Sequence, residues 1–291
     1  MKRKIKIWIE CARLRTLPVS VAGVITATGF ALFHHRFSWV PALLCFAFAV
    51  LAQVVSNFAN EYYDFKRGAD KKGRVGPRRG VTEGTISPRA MLRATYSLLA
   101  ADCAVGLCLI PYGGWEMLIV GVFIAIFALA YSAGPYPLSR HGWGDVAVLV
   151  FFGIIPVNFT FYVMNCEFSL IVFLASVAIG LMSVNVLIIN NYRDIEDDKD
   201  AGKFTTAILL GRKYTATWYL CNGYIAVSIL SPLWFYYPAM ALCAAVYLLL
   251  HNRTWIAMQQ SEGAALNPVL GATARNMLVF AILLFVATII V

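Results

Sequence analysis

The chain has 291 residues, of which 60% are hydrophobic and 13% are charged, whereas a soluble domain carries about 25% charged residues. These proportions exclude an ordinary soluble protein and predict a polytopic membrane protein. The net charge of +9 is accounted for by lysines and arginines that set membrane topology, so we expect membrane lipid, and no nucleic acid, as a partner. The seven cysteines are scattered and form no CxxC pair, which predicts reduced thiols in an apolar core.

Apolar segments of about the length that crosses a bilayer predict an all-α membrane bundle of about nine transmembrane helices, in a single domain over residues 1–291. The segments lie at 17–35, 38–62, 90–110, 115–134, 145–164, 168–192, 214–231, 233–251 and 270–291. All but one of the 24 lysines and arginines then fall on the N-terminal side, Arg36 being the exception. This asymmetry predicts a multi-pass protein of the cell (inner) membrane, with a cytoplasmic N-terminus and its C-terminus on the opposite side.

Polar residues recur at three- and four-residue spacing toward the end of the second predicted span: Gln53, Asn57, Asn60, Glu61 and Asp64. On a helix this spacing forms one stripe. Because unpaired polar groups facing lipid are costly, we expect the stripe to line a cavity inside the bundle. Asp70 follows beyond Gly68, where the chain must turn to bring it back to the stripe.

A basic loop comes next, over residues 71–84, and contains five lysines or arginines and four glycines. Loops of this composition let side chains and backbone amides close over an anion. Because the loop directly follows the acidic residues Asp64 and Asp70, its composition favours a role in phosphate binding over a role in setting topology alone.

A second acidic cluster follows the sixth predicted span, where Asn190, Asp194 and Asp198 are spaced four apart, as on one helical face. Lys203 is a candidate phosphate contact just beyond it. Two such carboxylate faces on the same side of a bundle can hold two magnesium ions between them, with diphosphate oxygens completing each coordination shell. Outside the clusters, Asp145 is most simply a helix N-cap that could also orient an acceptor, and Asp102 is expected to be a protonated or paired core group.

These segments resemble the UbiA superfamily of intramembrane aromatic prenyltransferases, and within it the branch that acts on 1,4-dihydroxy-2-naphthoate in menaquinone biosynthesis. The likeness rests on four stretches: 60–65 with Gly68 and Asp70, 76–88, 142–153, and 190–198 with Gly202 and Lys203. The first motif departs from the general superfamily spacing, because Asp70 stands six residues after Asp64 instead of four. The longer spacing looks like that of the naphthoate branch.

The resemblance implies a bundle with a central cavity capped on the cytoplasmic side, where Mg²⁺ bridges the two acidic motifs to a polyprenyl diphosphate. It implies that the catalytic residues are Asn60, Asp64, Asp70, Asp194 and Asp198, with the four aspartates as metal ligands. Further diphosphate contacts that it suggests are Arg78, Lys203, Tyr131 and Asn190. The implied reaction transfers the isoprenyl group to the aromatic acceptor, 1,4-dihydroxy-2-naphthoate, with loss of its carboxylate.

Two other functions stay open at the level of sequence. The first is prenyl transfer to a different aromatic acceptor, such as 4-hydroxybenzoate or homogentisate, because no acceptor-binding residue follows from the spacing. The second is transport of a cation or phosphate through the same carboxylates. A transporter is expected to carry ionisable groups along its pore or broken helices near the midplane, whereas the acidic residues here collect at one face of the membrane.

Overall fold

The computed structural model describes residues 2–69, 75–76 and 78–290, and Asp70 therefore lies outside the described residues. The described residues form helices joined by turns and loops, and they contain no strand beyond one isolated parallel bridge between His141 and Phe204. The main helices are α1 (Lys2–Ala12), α2 (Leu17–Phe33), α3 (Trp39–Lys66), α4 (Pro88–Leu107), α5 (Glu116–Ala130), α6 (Gly144–Asn165), α7 (Leu170–Arg193), α8 (Ile195–Asp200), α9 (Thr206–Ser228), α10 (Ala241–Gln259) and α11 (Leu266–Ile290). The all-α expectation is confirmed.

Membrane-crossing capacity is unequal among these helices. Across the described ranges, six helical stretches are long and apolar enough to span a bilayer: Ile5–Phe33, Trp39–Lys66, Pro88–Gly113, Gly144–Asn165, Leu170–Arg193 and Gly263–Ile290. Helix α5 is apolar but has only 15 residues. Helices α9 and α10 have 23 and 19 residues but are less apolar. A multi-pass membrane protein follows, and the count of nine spans stays a prediction.

The eighth predicted span, 233–251, is misplaced by about eight residues, because the helix in this region is Ala241–Gln259. The apolar run is interrupted at Pro238, whose ring removes a backbone donor and disfavours helical geometry in the residue before it. Tyr237 accordingly has φ −131° and ψ 77°, and it follows a separate short helix, Ser231–Tyr236. Apolar composition alone carried no sign of this break.

Helices α6 and α7 approach each other through two glycines. A Cβ atom built on Gly153 would lie 2.3 Å from the Cα of Gly180 and 2.5 Å from the backbone oxygen of Ser176. Small residues let helix backbones come this close within a membrane. Gly153 lies in a π-helical turn over Val150–Ile154, a local widening that often accompanies functional sites.

Candidate active site

The first acidic motif lies at the end of α3, where Asn60 and Asp64 meet a buried arginine from the following loop. One terminal guanidinium nitrogen of Arg79 donates to the Asn60 Oδ1 at 2.9 Å and lies 3.4 Å from an Asp64 carboxylate oxygen. The Arg79 and Asp64 side chains are 5% and 6% exposed. Arg13, which follows α1, reaches the same Asn60 oxygen at 3.5 Å. Two cations therefore surround the predicted motif.

The polar stripe on α3 is continuous along the helix but divides between partners. Gln53 and Asn57 hydrogen-bond to Thr16 and to each other. Glu61 is fully buried and turns away from Asp64: its Oε1 accepts the Val81 backbone N–H at 2.9 Å and the Cys11 thiol at 3.5 Å.

Glu61 therefore fastens the basic loop and the N-terminal helix to α3. Gln53 also lines the apolar cavity described below. The expectation that the whole stripe faces one cavity is too simple.

The two adjacent loop arginines have different surroundings. Arg78, the predicted diphosphate contact, is 65% exposed and pairs with Glu83. The hydrogen bonds from this guanidinium lower the pKa of the Glu83 carboxyl below its ordinary value. Arg79, one residue later, is the arginine that contacts Asn60 and Asp64. This geometry favours Arg79, and a diphosphate role for Arg78 stays a prediction.

The second acidic motif spans a helix break, so one continuous helical face for Asn190, Asp194 and Asp198 is the wrong picture. Helix α7 ends at Arg193, Asp194 has φ −98° and ψ 14°, and α8 begins at Ile195. The break lets the Arg193 guanidinium grip both oxygens of Asp194, at 2.6 and 2.7 Å, and the Asn190 oxygen at 2.8 Å. Lys203 lies 2.8 Å from Asp198.

Side-chain contacts tie the two motifs into one region. Asn267, at the start of α11, accepts from Arg193 at 2.8 Å and donates to the Val75 backbone oxygen at 3.1 Å. It thereby links the second motif to the loop that follows the first. Arg67, at the end of α3, donates to backbone oxygens of Ser132 and Gly134 just beyond α5.

Tyr131 lies between the motifs. Its hydroxyl is within electrostatic range of Asp64 from the first motif, of Asp198 from the second, and of Asp145. The predicted residues Asn60, Asp64, Asp194, Asp198, Lys203, Asn190 and Tyr131 thus lie at one end of the bundle.

An apolar cavity opens beneath this charged region. It has a volume of about 1090 Å³ and Tyr131 forms part of its wall. Apart from a few polar groups such as Ser20 and Gln53, its lining is aliphatic or aromatic and comes mainly from α2 to α6. Charged groups above an apolar chamber suit a ligand with an anionic head and a long hydrocarbon tail.

The donor set fits a magnesium ion. Asp64, Asp194 and Asp198 offer carboxylate oxygens, the donors that hard divalent cations prefer. Within the described residues, no cluster of three or more His, Cys, Asp or Glu side chains could hold a metal by itself. Magnesium does not require one, because it binds through one or two carboxylates with substrate phosphates and water as its other ligands.

Sequence reasoning missed Arg13, Arg79 and Asn267. Arg79 could not be told from its neighbour by sequence, because both arginines stand in one basic loop. Arg13 resembles any topology-setting charge, and its backbone is left-handed, with φ 52°. Asn267 is a lone polar residue nearly two hundred positions from Val75, and no local pattern points to it.

A helical membrane protein with a charged site at one end of an apolar chamber belongs to the class of enzymes and carriers that handle amphiphilic anions. Residues 21–270 match the UbiA prenyltransferase family. The chain belongs to this family, and the resemblance found from its motifs is confirmed.

Several proteins are similar to this chain over most of its length. The 1,4-dihydroxy-2-naphthoate octaprenyltransferase of Escherichia coli (strain K12) is 33% identical over 285 residues, covering 93% of this chain and 91% of that one. The protein of the same name from Mycobacterium tuberculosis is 38% identical over 221 residues, 76% of this chain and 75% of that one.

A solved structure of a UbiA homolog from Archaeoglobus fulgidus, bound to DMAPP and Mg²⁺, superposes with a TM-score of 0.68. It covers 98% of this chain and 100% of that one at 18% identity. This likeness shows a shared fold.

Proposed function

We propose that this protein transfers an isoprenyl group from a polyprenyl diphosphate to 1,4-dihydroxy-2-naphthoate, in a magnesium-dependent reaction that releases the acceptor carboxylate as CO₂. The product is the demethylated quinol of menaquinone biosynthesis. The observation that carries the proposal is the similarity to naphthoate octaprenyltransferases at 33% and 38% identity over most of each chain. The charged site above the apolar cavity supports it independently.

The residues divide the work as the reaction requires. The diphosphate leaves the allylic carbon when the charge that builds on its oxygens is stabilised, and Arg79, Arg193 and Lys203 are among the cations beside the two motifs. Magnesium, held by Asp64, Asp194 and Asp198, would supply further neutralisation of the diphosphate when bound. Asn60 and Asn190 offer amide oxygens beside these groups.

The apolar cavity protects the allylic group from water while its bond to the diphosphate breaks. Phe127 and Phe151 line the cavity, and their ring centroids are 4.8 Å apart. Phe127 lies one helical turn before Tyr131. Each aromatic face that meets a developing cation contributes about 0.5–2 kcal/mol. The ring carbon that bears the carboxylate then bonds to the allylic carbon, while the bond between the allylic carbon and the diphosphate oxygen breaks. Loss of CO₂ leaves its electron pair in the ring and restores aromaticity.

We place the site at the cytoplasmic face of the cell (inner) membrane, with the N-terminus on that side. The distribution of lysine and arginine supports this orientation. A cysteine introduced at exposed Lys199, in a variant whose four exposed native cysteines are replaced by serine, tests it when an impermeant maleimide is applied to intact cells and to lysed cells. Labelling after lysis alone is expected, and equal labelling in intact cells would reverse the orientation.

Purified full-length protein, incubated with MgCl₂, a labelled prenyl diphosphate and a panel of aromatic acids, tests the reaction. We expect prenylated, decarboxylated product with 1,4-dihydroxy-2-naphthoate and none with EDTA. Turnover with 4-hydroxybenzoate or homogentisate, and none with the naphthoate, would reassign the acceptor. Absence of any prenylated product would overturn the enzyme assignment.

A further inference from the structure

A second, smaller cavity lies beside the charged site and has a different character from the apolar one. It has room for about one water molecule, and Tyr131 is the residue that it shares with the large cavity. Its walls combine polar groups, Asp145, Asn191 and Thr206, with the apolar side chains Leu187 and Phe204. Among its lining residues Asp145 is the one with a carboxyl group.

The walls of this small cavity are fixed by the chain around it. The Phe204 N–H donates to the Arg140 backbone oxygen at 2.8 Å, and His141 and Phe204 form a parallel bridge. The Arg140 side chain also donates to the Ala201 backbone oxygen. Hydrogen bonds therefore hold the segment before α6 against the segment before α9, and they fix the positions of the polar groups on both segments.

Asn191 gives the cavity an unused polar group. Its side chain is 9% exposed and lines the cavity, and its amide makes no hydrogen bond to any described residue. A buried amide ordinarily has a partner, because leaving one without costs free energy. Asp145, on the facing wall, interacts with the Thr206 side chain and leaves acceptor capacity over.

Size and charge select what this cavity takes. The space open between its walls is about that of one water molecule, so the cavity admits a single hydroxyl group and excludes a long prenyl chain. A carboxylate wall repels an anion and accepts hydrogen bonds from hydroxyl groups. The apolar side chains in its walls suit contact with the aromatic ring that bears this hydroxyl.

We propose that the small polar cavity binds one ring hydroxyl of the aromatic acceptor, with Asp145 accepting a hydrogen bond from this hydroxyl and the Asn191 amide donating one to its oxygen. The acceptor then reaches past Tyr131 toward the allylic group in the large cavity. The carboxylate of the acceptor stays outside the small polar cavity. The inference rests on the proposed function for the identity of the acceptor, but the site itself follows from the cavity.

The test separates hydroxyl recognition from carboxylate recognition by using two probes without a prenyl donor present. Binding of 1,4-dihydroxynaphthalene and of 2-naphthoate to the purified full-length protein is measured by equilibrium dialysis. We expect wild-type protein to bind the dihydroxy compound. Asp145→Asn and Asn191→Leu should weaken that binding at least tenfold while changing 2-naphthoate binding less than twofold. Asp197→Asn, which removes an exposed carboxylate close by, is the matched control and should leave both unchanged.

Steady-state kinetics give the second readout. The same two variants should raise the KM of the acceptor at least tenfold and leave the KM of the prenyl diphosphate within twofold, which a merely structural defect would not do. If Asp145→Asn fails to fold, Thr206→Val, which removes one hydroxyl group from the same wall, should raise the acceptor KM alone.

The outcomes distinguish this site from the proposed function. Normal turnover with dihydroxynaphthalene binding unaffected by both variants would overturn the site and leave the function standing. Binding that is lost in both variants, without turnover on the naphthoate by wild-type protein, would support the site and overturn the acceptor.

Discussion

Arg79 and Asp64 approach within 3.4 Å in a place where each side chain is almost fully buried. Removing one partner of a buried ion pair typically costs 3–5 kcal/mol, because the remaining charge is left uncompensated. A buried ion pair is by itself weak evidence for stability, and we propose from its position beside Asn60 at the end of α3 that it serves the diphosphate site.

The first prediction compares the two adjacent arginines. Arg79→Ala removes charge-assisted hydrogen bonds worth about 1.5–3 kcal/mol, so we expect kcat/KM for the prenyl diphosphate to fall about 10- to 150-fold. Arg78→Ala removes an exposed contact to Glu83 and should have a clearly smaller effect. Steady-state assays of both variants with saturating acceptor measure which arginine contributes more to kcat/KM for the prenyl diphosphate. A larger loss in the Arg78 variant would restore the expectation drawn from the sequence motif.

The second prediction concerns Glu61. Glu61→Ala leaves the buried Val81 N–H without a partner, at a cost of about 1–3 kcal/mol, and loosens the loop that carries Arg79. We expect a lower melting temperature and a higher KM for the prenyl diphosphate. Glu61→Gln keeps an acceptor for Val81 and should stay near wild type. Both variants should keep the wild-type magnesium concentration dependence, and a shifted dependence in Glu61→Gln would make Glu61 a metal ligand.

The third prediction tests the contact between α6 and α7. Gly153→Ala places a methyl group against the backbone of Gly180, and overpacking of this kind costs about 1–3 kcal/mol. We expect a lower melting temperature in detergent. Gly271→Ala is the control, because a Cβ there meets nothing within 4 Å and alanine favours a helix over glycine. Equal melting temperatures for the two variants would contradict the close approach.

The fourth prediction uses Gly121, which lines the apolar cavity and whose added Cβ would meet nothing within 4 Å. Gly121→Phe should fill part of the cavity without disturbing the charged site. We expect turnover with a short prenyl diphosphate to persist while turnover with long ones falls at least tenfold. Product analysis with donors of graded length measures this. An unchanged preference would place the tail elsewhere.

Much of the site could be predicted because carboxylates and amides at helical spacing stand out in an apolar sequence. Asn60 and Asp64 were found in this way, and they do lie together on α3. The partner of Asp64 was not found, because Arg78 and Arg79 are chemically identical and the choice depends on how the loop folds. The break at Asp194 was missed for a related reason, since four-residue spacing fits an unbroken helix equally well.

The fold was predictable to the same degree. Long apolar segments gave the helices, because a bilayer imposes their length. The eighth span was misplaced because its boundary depends on Pro238, which lies inside an otherwise apolar stretch. The small polar cavity left one sign in the sequence, Asp145, because its walls come from three separate segments that meet only after folding: 131–145, 187–191 and 204–206.

The most direct test of a single site shared by both acidic motifs is equilibrium binding of geranyl S-thiolodiphosphate, a slowly reacting donor analogue, in the presence of MgCl₂. We expect Asp64→Asn and Asp194→Asn each to weaken binding at least tenfold, while Asp197→Asn binds as tightly as wild type. Wild-type affinity in either of the first two variants would show that the two motifs do not hold one diphosphate.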